Sequence, residues 1–134
     1  MKKVYLLNIC IMIAALSHAQ QVSYQEARQA AQSFFAKQQK AVTQCAHIET
    51  SSNHDTLFYI FNANNAYVLI SADKRCQPVL AFSDKTTFQT NNIIPPVQMW
   101  MGNYAAQIQS LKQQNVLRPH REWLAVLQPQ KDFD

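Results

Sequence analysis

Cys45 and His47 stand two residues apart, and His54 and His120 lie elsewhere in the chain. A cysteine nucleophile works as a thiolate beside an imidazole, and it also needs an orienting partner and an oxyanion hole. On a strand, residues two apart share a face, so this pair meets the first requirement. The other requirements have no counterpart in the sequence. No local signature surrounds Cys45 or Cys76, and a chain whose single glycine is Gly102 has no glycine-rich turn to expose a thiol. The same scarcity rules out a glycine-rich phosphate loop. The His and Cys spacings match no zinc pattern. Asp73 and Asp84 fall in turn segments, where aspartate commonly bonds nearby backbone, and Asp73 with Arg75 reads as an exposed ion pair of little weight. These residues point away from an enzyme and call for no metal and no cofactor.

The N-terminus carries an address. Lys2 and Lys3 precede an apolar run from Val4 to Leu16, and Ser17-His18-Ala19 puts small residues where a signal peptidase reads. The run is too short to span a bilayer. The expectation is a signal peptide over residues 1–19, cleavage after Ala19, a periplasmic or secreted product, and no stable membrane insertion after cleavage. Residues 20–134 then suffice for one domain with a core of its own. Losing Lys2 and Lys3 takes the formal net charge from +4 to +2, and no basic run interleaves with aromatics, which excludes a nucleic-acid footprint. Charged residues are only 15% of the chain, so a partner is met through shape and local contacts rather than steering. Cys10 leaves with the signal. Cys45 and Cys76 remain, and the even count permits one disulfide or two separate buried thiols.

The elements that must position any site are legible from pattern. Ser23-Tyr24-Gln25-Glu26 is a capping box, and Ala27, Ala30, Ala31, Phe34 and Phe35 follow at helical spacing, predicting an amphipathic helix that ends near Gln39. Ala46–Glu49 suits a short strand. Thr56–Phe61 and Ala66–Ser71 are clear strands joined through Asn62–Asn65, where asparagine tolerates left-handed backbone. Pro78–Ser83 is a third clear strand. After a polar loop, Pro95 and Pro96 open a helix whose stripe is Val97, Trp100, Met101, Tyr104, Ile108 and Leu111, stopping near Asn115. Trp100 is expected in the core. Pro119–Leu127 allows a further helical turn carrying Trp123, which is either a core plug or a partner anchor, and the chain from Pro129 reads as frayed. The fold class is α+β: an antiparallel sheet of about four strands with the helices packed on one face.

Several blocks of this sequence resemble the prosegment of the streptopain family of bacterial cysteine proteases, and the Spi-type stand-alone inhibitors built on the same domain. They are Ala27-Arg28-Gln29-Ala30-Ala31-Gln32-Ser33-Phe34, then Tyr59-Ile60-Phe61-Asn62, then Tyr67-Val68-Leu69-Ile70-Ser71-Ala72-Asp73-Lys74-Arg75, then Pro78-Val79-Leu80-Ala81-Phe82-Ser83-Asp84. Phe88, Ile94-Pro95-Pro96, Trp100, Tyr104 and Ile108 continue the pattern. Five blocks in order carry the resemblance from about Ser23 to Leu111. Asn64-Asn65-Ala66 stands where the family hairpin usually has glycines, and no catalytic domain follows within the chain.

The resemblance implies an inhibitor module acting in trans on a streptopain-like cysteine protease encoded nearby. The segment expected to enter the protease cleft is the loop Thr86, Thr87, Phe88, Gln89, Asn91, Asn92, Ile93 and Ile94, because it is polar and held between two well-specified elements. Two other readings share the fold: a folding or export helper for a cognate protease, and an exported binding module without inhibitory activity.

Overall fold

The computed structural model describes residues 20–114 and 118–128. The expected signal segment and the tail from Pro129 lie outside the described residues, and the helix expected to stop near Asn115 ends at Gln113.

The first helix, α1 (Tyr24–Ala36), starts where the sequence puts it. Ser23 Oγ accepts the Glu26 N–H at 3.1 Å, and Glu26 Oε2 accepts the Ser23 N–H at 2.9 Å. The helix stops three residues before the expected Gln39, which takes a left-handed φ of 56°. Glu26 Oε1 also receives Lys74 Nζ at 2.8 Å. Burial pushes the Glu26 carboxyl up, but the Lys74 ammonium and the Ser23 donors outweigh it and hold the group below its ordinary 4.5. A depressed carboxylate stabilises the fold above its unfolded pKa, and that contribution drains as pH falls through the lower native value. The stability difference between the wild type and Glu26→Gln should therefore be constant near neutrality and shrink once pH drops below 4.5. Urea midpoints across a pH series measure it. A difference that ignores pH would remove the linkage.

Four strands follow, β1 (Gln44–Thr50), β2 (Thr56–Ala63), β3 (Ala66–Ser71) and β4 (Val79–Ser83). They form one antiparallel meander in the order β1-β2-β3-β4. The β2–β3 hairpin turns at Asn65, whose φ of 51° is the left-handed backbone expected of an asparagine there. Asn62, which the sequence assigns to the link, belongs instead to the buried end of β2. Helices α2 (Pro95–Gln113) and α3 (Glu122–Val126) complete the described fold.

The α+β class and the four-stranded antiparallel sheet are as expected. The placement of the helices is corrected, because they cover both faces of the sheet. Tyr59, Phe61, Val68 and Ile70 point to Ala27, Ala30, Ala31 and Phe35 of α1, with Trp123 of α3 in the same cluster. Phe58, Ile60 and Leu69 point the other way, to Met101 and Ile108 of α2. The cause lies in the central strands. Every residue from Leu57 to Ala63 is buried, so alternate side chains need cover on opposite sides. Alanines at the α1 contact bring that helix close to the sheet, and phenylalanines fill the space beyond.

Trp100 is also corrected. It is only partly buried, edge-on to Tyr104 at 5.9 Å, while Met101 and Ile108 carry the buried line of α2. Tyr104 ties α2 to the outer strand by donating its hydroxyl to Leu80 O at 3.1 Å.

Candidate functional site

The loop from Thr86 to Ile94 joins β4 to α2, and Phe88 governs its shape. The Phe88 ring is 7% exposed and packs in the α2-side cluster, edge-on to Tyr67 at 5.6 Å and 6.4 Å from the His47 ring. The Phe88 backbone is held by one side chain. Phe88 N–H donates to Asn62 Oδ1 at 2.8 Å, and Asn62 Nδ2 donates to Phe88 O at 3.1 Å. Phe88 was expected among the contact residues. The structure makes it the loop's anchor, turned inward.

The residues on either side of the anchor face outward. Thr86, Gln89, Asn91 and Asn92 are exposed, and Thr87 and Ile93 are half-buried. Gln89 Nε2 donates to Thr87 Oγ1 at 2.9 Å, which braces the first arm. Asn92 turns the second arm with a φ of 57°, a backbone that asparagine adopts more readily than most residues. Gln98 Nε2 on α2 donates to Ile93 O at 3.0 Å and ties that arm to the helix. Between the two arms, Tyr67 and Val97 lies a shallow concavity of about 220 Å³.

The surface continues onto the first turn of α2. Ile94 is 58% exposed and Met99 69%, with Pro95 and Pro96 also in solvent. No charged residue lies between Thr86 and Met99. The face thus offers amides, hydroxyls and apolar side chains on a backbone fixed at its middle and at both ends. It suits a neutral cleft that binds by shape and hydrogen bonds. A second concavity of about 420 Å³ lies by Lys74, His120 and Leu124, above the buried Trp123.

The Cys–His pairing suggested by spacing is not formed. Cys45 pairs across the sheet with Phe61, and His47 with Ile60, so a bulge at Ala46 turns the two side chains to opposite faces. Cys45 joins the α1-side cluster, whereas His47 lies near Phe58 and Phe88 on the α2 side. His47 Nε2 meets Glu49 Oε2 at 2.6 Å. Cys45 and Cys76 are free thiols in separate clusters, so the bridge that their number permits is not made. Burial pushes both thiols above their ordinary range, although the His47 backbone pulls Cys45 the other way, as the Ser71 side chain and then the Gln77 backbone pull Cys76. A nucleophilic cysteine needs the opposite shift. Among the described residues, no group of three His, Cys, Asp or Glu side chains could hold a metal ion, and no helix is long and apolar enough to cross a membrane.

Asp73 differs most from its expected character. It is 2% exposed, and its carboxylate receives Arg75 Nη2 at 2.6 Å, Arg75 Nε at 2.9 Å and the Arg75 N–H at 2.9 Å. The hydrogen bonds that Arg75 donates to the Asp73 carboxylate, against a smaller burial penalty, raise the Arg75 pKa. The pair fixes the turn between β3 and β4 and is structural.

A family model described as Spi protease inhibitor matches residues 19–108, which takes in α1, all four strands, the loop and most of α2. The α3 segment lies beyond the match. No curated protein and no solved structure matches the chain.

Proposed function

The chain belongs to the Spi protease inhibitor family, and from that premise we propose that it is an exported protein that blocks a streptopain-like cysteine protease in trans. The observation that carries the reading is the family match over the whole sheet and loop, joined to the blocks that resemble a streptopain prosegment. The loop Thr86–Ile94 supplies the contact. An inhibitor must fill the cleft without presenting a peptide bond to the nucleophile in an attack geometry. A loop pinned at Phe88 resists being drawn into such a geometry. Asn91 and Asn92, exposed at the turn of the second arm, donate and accept hydrogen bonds in the cleft. Ile94 and Met99 cover the apolar rim.

The test is the double variant Asn91→Ala/Asn92→Ala, titrated against a streptopain-like protease encoded beside this chain and against a papain-like one. The inhibition constant should rise about tenfold, the scale of one or two lost hydrogen bonds, while the fold loses no more than the roughly 1–2 kcal/mol that an alanine costs at the left-handed Asn92. Unchanged inhibition moves the contact to the groove beside Trp123 and Leu124. Addition to mature, already folded protease separates inhibitor from folding helper, since only an inhibitor acts at that stage. If the wild type inhibits no cysteine protease tested, the binding-module reading takes its place.

A further inference from the structure

We propose that Asn62 is the positioning residue of the inhibitory loop: its side-chain amide, buried in the sheet, fixes the Phe88 backbone and so sets the shape the loop presents. The proposal rests on the reading of Thr86–Ile94 as the protease-contacting segment.

A primary amide carries two donors and an acceptor, and once buried it needs partners for them. Asn62 is 2% exposed and gives both sides of its amide to one residue, with Oδ1 taking the Phe88 N–H and Nδ2 bonding Phe88 O. This copies a hydrogen-bonded pair of an antiparallel ladder, where two residues exchange both bonds. A single residue of a loop is thereby docked as if it were a strand.

The amide is itself held firmly. Asn62 pairs with Gln44 of β1 and Tyr67 of β3, and its carbonyl accepts both the N–H and the hydroxyl of Thr43, at 2.8 and 3.1 Å. The Phe88 ring, lodged against Tyr67 and His47, adds an apolar hold beside the polar one. The loop is left with two short arms, residues 84–87 and 89–94. Their ordering cost is met when the domain folds, not when it meets the protease, and that preorganisation slows dissociation.

The clamp has a chemical requirement that a mere filler does not. An aspartate at this position keeps the acceptor for Phe88 N–H but, when ionised, has no donor for Phe88 O. Once protonated it has both. Asn62→Asp should therefore inhibit about tenfold less well than the wild type at neutral pH, through faster dissociation, and approach the wild type as the introduced carboxyl is protonated. His47, with its partner Glu49, and Tyr67 also face Phe88, so the measurement is the variant-to-wild-type ratio of inhibition constants at each pH. Hydrogen exchange on the wild type is the second arm and needs no variant. The Phe88 amide should be protected like the β2–β3 ladder, while the Gln89 amide exchanges quickly. A ratio near one at every pH, a deficit that acid does not reduce, or fast exchange at Phe88 would overturn the clamp. A wild type that inhibits nothing would instead sink the functional reading on which it rests, and that outcome is read before any variant is made.

Discussion

Trp123→Ala should lower the stability of the domain by about 3–5 kcal/mol, a large share of what a chain this size commands. Trp123 is 2% exposed, in the cluster that α1 builds with Tyr59, Phe61, Val68 and Ile70. Its indole Nε1 donates to Cys76 O at 2.8 Å, so truncation leaves both a cavity and an orphaned carbonyl. The α3 segment has other fastenings to α1, from Gln29 Nε2 to Leu127 O and from Ser33 Oγ to Val126 O, at 3.1 and 3.2 Å. They lie at the margin of the fold, and neither replaces a buried indole. A denaturant titration gives the number. A midpoint that barely moves would mean that α3 adds nothing to the fold. Trp100→Ala should cost less, since Trp100 lies at the half-exposed margin of α2.

Asp73→Ala comes next, with an expected loss of about 3 kcal/mol or more. The substitution removes three bonds at once and leaves Arg75, whose side chain is only 14% exposed, without its counter-charge. The penalty comes from that stranded guanidinium more than from the pair's own attraction. The double variant Asp73→Ala/Arg75→Met should recover much of the loss, because it removes the buried charge together with its partner. Thermal and denaturant midpoints of the three proteins form the test. A single variant as stable as the wild type would return the pair to the surface category that the sequence suggested.

What the sequence disclosed was local. Ser23 and Glu26 form a capping box because the four-residue pattern contains the whole interaction, and Ala66–Ser71 is the observed strand to the residue. What it hid depends on distant segments. Asp73 is buried because the backbone at Gln21 bridges to it and Lys74 N–H bonds Gln20 O, contacts that no window around Asp73 contains. The bulge at Ala46 separates Cys45 from His47 and has no marker such as glycine. Helical periodicity puts Trp100 on the correct face of α2 but does not rank exposure along it. The unbroken apolar run of β2 did hold a usable signal, since a strand buried on both faces asks for two covering layers. The candidate loop was marked as a polar segment between two elements. Its anchor was not, because an asparagine beside a turn reads as part of the turn.

Lys74 joins the two ends of the described chain. Its N–H donates to Gln20 O at 2.8 Å, its carbonyl accepts the His120 N–H at 2.6 Å, and its ammonium meets Glu26. Order of assembly follows from this. Each strand of the meander pairs with its neighbour in sequence, so the sheet closes small loops and forms early, whereas the clasp at Lys74 closes two loops of about fifty residues each and its entropy is met last. Interactions made after the folding barrier do not hasten folding; they delay escape from the native state. In a chevron, the loss in Trp123→Ala should therefore fall on the unfolding arm. In this member of a protease-inhibitor family, the residues that shut the chain set its lifetime, and those that build the sheet set how quickly it is ready.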